Sequence, residues 1–183
     1  MTRILRTGIT LFIFPFALPL VAQKAIRIVN HVWINGKQEA VFSKLRSLEQ
    51  FTDWSPFLVS DPEQKNWVEG KDGQIGSSFH WEGAAEKSQG FQKLVALKGH
   101  DYVRMECEIA KPYKSQPVFE YDLQSKEGKV KVIQTFTLQA SGFNRFMMSL
   151  FGVKRKMSAL NQLGLDRLKT SIEAEQETLT QVN

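Results

Sequence analysis

The chain has 183 residues, one cysteine and a formal net charge of +5. A lone cysteine excludes an intrachain disulfide and a cysteine-built zinc site. The basic residues are dispersed apart from Lys154-Arg155-Lys156, and none of them interleave with exposed aromatics, so a nucleic-acid partner is not expected. The length suits one domain with a substantial core.

Arg3 and Arg6 precede an apolar run from Gly8 to Ala22, interrupted by Pro15 and Pro19. A positive start, a short apolar stretch and small residues near Ala22 predict a secretory signal over residues 1–23, cut before Gln23. The run is short for a spanning helix, which needs about 20 apolar residues. An uncleaved anchor is the alternative, and a folded apolar N-terminus a third. Both leading readings put the domain outside the cytoplasm, exported to the periplasm or anchored at the outer face of the inner membrane. Where the segment is kept as an anchor, membrane association runs through it.

The domain is expected over 24–178, with 179–183 as a tail. Ala25 to Ile34 alternates, with Ile26, Ile28, Val32 and Ile34 on one face, which reads as a half-buried strand. Asn35-Gly36 then turns the chain into a helix over about Gln38 to Leu48, with Val41, Phe42 and Leu45 inward. A second short helix stops at Asp53-Trp54-Ser55-Pro56, because proline disfavours helix at the residue before it. From Asn66 to Leu138 six strand runs follow, separated by Gly-rich or charged turns, as in antiparallel hairpins. A long amphipathic helix closes the chain from Asn144 to about Leu179. Its stripe reads Val153, Met157, Leu160, Gly164, Leu168 and Ile172. A glycine inside a helix costs about 1 kcal/mol relative to alanine, so Gly164 marks either close packing or room for a ligand. The expected fold is α+β: a curved antiparallel sheet of about seven strands around the terminal helix.

Strand phase assigns the sheet's inner face. Phe79 and Trp81 point in, as do Val103, Met105, Cys107 and Ile109; so do Phe119, Tyr121 and Leu123, and Val130, Val132, Gln134, Phe136 and Leu138. The inward polar groups reduce to Asn30, Gln92, Tyr121, Gln134 and the Cys107 thiol. General acid–base catalysis needs a group titrating near working pH, and none falls inward. His80 falls on the outer face, His31 outward and His100 in a turn, without metal-ligand spacing. Glu106 and Glu108 share the solvent face. No catalytic residue, metal or cofactor is expected.

Ile34-Asn35-Gly36 with Ala40-Val41-Phe42, Trp54-Ser55-Pro56-Phe57, and Gly76 with Phe79, Trp81, Glu82 and Gly83 form an ordered set. With Lys111-Pro112-Tyr113, Phe146 to Gly152, and Gly164-Leu165 with Leu168-Lys169, this set resembles the START-like (SRPBCC) superfamily. That superfamily includes polyketide cyclases/dehydrases and lipid-transport proteins. The resemblance spans about Ile26 to Glu175. It implies a helix-grip fold with a cavity between sheet and C-terminal helix that takes apolar or amphipathic molecules, and it carries over no catalytic residue. Within that frame the expected ligand site comprises Trp54, Phe79, Trp81, Gln92, Met105, Tyr121, Gln134, Met157 and Gly164. The expected function is binding or transport of a small hydrophobic molecule. A cyclase or dehydratase that encloses its substrate and a protein-interaction module are the alternatives.

Overall fold

The computed structural model describes residues 25–57, 61–84, 87–139 and 152–181, with side chains to residue 178. The predicted leader and the predicted start of the terminal helix, at 144–151, lie outside the described residues.

Strand β1 (Ala25–Asn35) alternates as its sequence does, burying Ile28, Asn30, Val32 and Ile34. Helix α1 (Gln38–Arg46) turns Val41, Phe42 and Leu45 inward. A short α2 (Phe51–Trp54) stops ahead of Pro56. Asp72 ties the α1–α2 junction to the sheet: its carboxylate accepts from Ser47 Oγ at 2.7 Å and from the Leu48 amide at 2.6 Å.

Six more strands follow: β2 (Lys65–Glu69), β3 (Ser78–Glu82), β4 (Gln89–Lys98), β5 (Tyr102–Lys111), β6 (Pro117–Lys126) and β7 (Lys129–Gln139). Each pairs antiparallel with its sequence neighbour, and β1 pairs with β7 from Ala25↔Gln139 to Asn35↔Lys129. The result is one seven-stranded sheet in the order β1-β7-β6-β5-β4-β3-β2. The β6–β7 hairpin turns on two residues, Glu127 (φ 51°) and Gly128 (φ 75°). Positive φ at both central positions suits the right-handed twist of the flanking strands. Register shifts at Gln89/Gly90 and Leu94/Ala96 of the β4–β5 ladder do not invert the inner face of β5.

Helix α3 (Val153–Gln181) lies against the inner face of the sheet, packing on β1, α2 and α1. This is the helix-grip arrangement. The helix buries Asn161, Gly164, Leu165, Leu168 and Ile172, whereas Val153, Met157 and Leu160 are only half-buried. The predicted stripe therefore holds from Gly164 onward and misses Asn161 and Leu165. The first turns lie over open space, so apolar residues there find less to pack against.

One buried charge escapes the pattern. Lys44 on α1 is 5% exposed, and its Nζ lies 2.7 Å from Asp53 Oδ2 and 2.6 Å from Glu175 Oε1. The ammonium joins all three helices at the end of the sheet where they close over it. Burial alone would lower its pKa, but the hydrogen bonds to the two carboxylates outweigh that, and the pKa lies above the ordinary lysine value.

Candidate functional site

The inner face of the sheet divides along the strand direction. Toward the Asn35 end of β1, α1 and α2 close on the sheet and fill the interior. Leu45, Leu94, Val103, Met105, Val130 and Val132 are fully buried there. Toward the Ala25 end the sheet and the first turns of α3 stand apart and leave a cavity of about 480 Å³. That volume lies within the usual range for small-molecule sites, about 300–1,000 Å³.

Every strand from β3 to β7 contributes to the wall: Phe79 and Trp81, Gln92, Cys107 and Ile109, Phe119, then Phe136 and Leu138. Phe51, Ser55 and Phe57 close one side from the α2 segment, and Met157 closes it from α3. Phe119 and Phe136 meet edge-on, centroids 5.2 Å apart, and Phe51 meets Phe79 at 5.0 Å. These contacts hold the rings as a preformed apolar surface. Polar lining is sparse on the wall. The charged lining, Asp61, Lys87 and Lys111, comes from connecting segments and a strand end. The Asp61 carboxylate is already engaged by the Ala84 amide at 2.9 Å.

Burial pushes the Cys107 thiol up to about 12, with the nearby Glu108 charge adding to the shift. At neutral pH it is a small apolar wall atom and not a nucleophile. Gln92 is the amide that the strands place on the wall, with Gln64 joining the lining from the segment before β2, and the Gln92 Nε2 donates to Met105 Sδ. It sits at the boundary between open cavity and filled core.

Four of the nine expected site residues, Phe79, Trp81, Gln92 and Met157, come together on this wall. The other five lie elsewhere. Trp54, Met105, Tyr121 and Gln134 belong to the filled half: Gln134 Nε2 donates to Tyr121 Oη at 3.0 Å, and the Trp54 and Tyr121 rings meet edge-on at 6.3 Å. Burial raises the Tyr121 pKa well above the ordinary tyrosine value, a shift the Gln134 hydrogen bond partly offsets. Gly164 is not a cavity wall. A Cβ built on it would stand 3.2 Å from Pro56 Cδ, so its missing side chain lets the segment after α2 lie directly against the helix.

Two contributions went unread in the sequence. Phe57, Pro112, Ser115 and Pro117 join the lining from segment ends, where strand phase says nothing. Gly90 faces Trp81 across the β3–β4 ladder, and a Cβ there would lie 2.5 Å from Trp81 Cζ2 and 2.3 Å from the Glu108 carbonyl oxygen. The indole occupies the space Gly90 leaves, which sets its position in the wall. The glycine opposite an aromatic was the available signal.

His80 lies on the outer face, as its phase predicts, stacked between Trp67 (5.2 Å) and Phe91 (5.4 Å). Its Nε2 meets Ser78 Oγ at 2.8 Å and Glu69 Oε2 at 3.4 Å. A serine–histidine–carboxylate relay needs the two partners on opposite ring nitrogens. Here both approach the same one, so the trio is not a relay. Among the described residues no three His, Cys, Asp or Glu side chains are grouped to hold a metal ion.

No protein-family model matches the chain, and no curated protein sequence does. Solved structures do. KanY protein superposes with a TM-score of 0.62 at 15% identity, covering 82% of this chain and 99% of KanY. CV1439 from Chromobacterium violaceum gives 0.60 at 11% identity, covering 80% and 96%. Ara h 8.0201 gives 0.57 at 12% identity, covering 82% and 99%. At these identities the likeness is one of fold, and the fold they share with this chain is the curved antiparallel sheet gripping a long C-terminal helix.

Proposed function

We propose that the protein is a START-like (SRPBCC) binder or carrier that holds a small hydrophobic or lipid-like molecule between its sheet and α3. The observation that carries this is the cavity itself: about 480 Å³, walled by aromatic and aliphatic side chains from β3 to β7, α2 and α3. Burying apolar surface there is worth roughly 25 cal/mol per Å², and preformed walls keep the ordering cost low. The strand-borne amide, Gln92, orients the bound molecule, and the charged groups at the segment ends meet its polar end.

A concave apolar volume favours a bound small molecule over a sheet face that docks a protein. A cyclase or dehydratase would need a titratable group beside the reacting atoms. The strands offer an amide and a thiol that stays protonated at neutral pH, and the charged lining, Asp61, Lys87 and Lys111, stands at segment ends, with the Asp61 carboxylate already engaged by the Ala84 amide. We further propose that the domain works outside the cytoplasm, exported or tethered by the apolar segment Gly8 to Ala22; among the described residues no helix is long and apolar enough to cross a membrane.

Native mass spectrometry of protein purified from its own host's envelope tests the reading. A co-purifying lipid-like mass supports it. Protein that stays empty, and takes up no long-chain fatty acid or aromatic probe in vitro, overturns it.

A further inference from the structure

The strand ends place several features at one end of the molecule. Ala25 begins β1 opposite Gln139, Pro117 begins β6 opposite Leu138, and Lys111 ends β5. The first turns of α3 lie beside residues 28–30, so the helix starts at that end too. Pro112, Pro117, Leu138 and Met157 all line the cavity, which therefore lies toward this end. The segment carrying the apolar run Gly8 to Ala22 joins the domain here, at Ala25.

The charges at this end are one-sided. Lys87, Lys111, Lys114, Lys154, Arg155 and Lys156 surround it, and all but the half-buried Lys111 are exposed. Among the described residues Asp61, Glu63 and Glu108 stand against them, while Lys65 and Glu82 face each other across the β2–β3 ladder. Two aromatics project among the cations: Tyr113 is 83% exposed and Phe57 is 40% exposed. The opposite end interleaves its signs, with Lys126 beside Glu127 and His100 beside Glu39.

We propose that this end of the domain docks on an anionic lipid bilayer, with Tyr113 and Phe57 at headgroup depth and the cavity facing the membrane. Basic side chains near an anionic leaflet each add attraction that salt screens. An amphipathic aromatic ring is favoured at the interface. A chain tethered through residues 8–22 is held with this end toward the bilayer, so a tether and a basic face act on the same surface. The inference concerns the folded domain's own surface and stands apart from the ligand reading, because it needs no ligand to be bound.

The test uses the full chain reconstituted on vesicles, with an environment-sensitive dye on Tyr113→Cys or, at the opposite end, on Lys126→Cys. The one native cysteine, Cys107, is buried. Vesicles are phosphatidylcholine alone or with one-third phosphatidylglycerol, each with brominated acyl chains as quencher. Dye at 113 is expected to be quenched at least about threefold more on the anionic vesicles, an excess that about 0.5 M salt removes, and dye at 126 on neither. The triple variant Lys154→Glu/Arg155→Glu/Lys156→Glu, at exposed positions, should lose the excess with its unfolding midpoint retained. A second variant, Lys87→Glu/Lys114→Glu, should weaken it independently. Equal quenching at 113 and 126, no dependence on lipid charge, or an unchanged signal in both charge-reversed chains overturns the proposal. Failure here with a ligand still bound leaves the cavity reading intact, and docking without ligand uptake overturns only that reading.

Discussion

Gly164→Leu separates the two reasons a helix can carry a glycine on its buried face. In the structure a Cβ at 164 stands 3.2 Å from Pro56 Cδ, 3.5 Å from Pro56 Cγ and 4.0 Å from the Trp54 carbonyl oxygen. An alanine therefore meets one tight contact while regaining about 1 kcal/mol of helix propensity, and Gly164→Ala should fall within about 1 kcal/mol of the parent. Leucine regains almost as much but must place three further carbons where the Trp54–Pro56 segment already packs. Overpacking a filled site costs about 1–3 kcal/mol, which leaves a net loss of up to about 2 kcal/mol. For a domain of this size that is a fall in Tm of up to about 8 °C. Urea denaturation measures the stability. Probe binding at a temperature where both chains are fully folded measures the cavity, and affinity should stay within about twofold. Loss of probe binding with stability unchanged would put the leucine in the cavity and refute the assignment of Gly164 to packing.

Three further outcomes follow from the same geometry. Cys107→Phe projects a ring into the cavity from β5 and should lower probe affinity at least about tenfold while the chain still unfolds cooperatively; unchanged affinity would move the site off this wall. Gly90→Ala meets Trp81 and the Glu108 carbonyl below 3 Å, so something must shift; about 1–3 kcal/mol of stability should be lost, with a change in Trp81 fluorescence on probe binding. Lys44 has a pKa raised above its ordinary value. Its contribution is thus fully present below the unfolded value of about 10.5 and disappears as pH rises through the higher folded value. The stability gap between the parent chain and Lys44→Met should hold constant from pH 7 to 9 and narrow above pH 10.5; a gap that widens there would mean the ion pairs do not hold the charged form.

Legibility in the sequence followed the range of the forces involved. Alternation at period two placed Phe79, Trp81, Cys107, Phe119 and Phe136 on the inner face, because a strand's pleat decides that locally. Turn residues marked the hairpins, and Pro56 marked the end of α2, for equally local reasons. The same alternation placed Met105, Tyr121 and Gln134 inward, and they are inward. It carried no information on whether an inward residue meets a ligand space or another side chain.

That was settled by packing between distant segments. Helices α1 and α2 cover one half of the sheet's inner face and leave the other half open, so residues of identical phase on β5, β6 and β7 divide into core and cavity wall by position along the strand. The same long-range packing buries Lys44 between Asp53 and Glu175, sets Trp81 over Gly90, and brings Pro56 against Gly164. Residue pattern alone set which faces are apolar; which apolar face stayed unfilled depended on where distant segments came to rest.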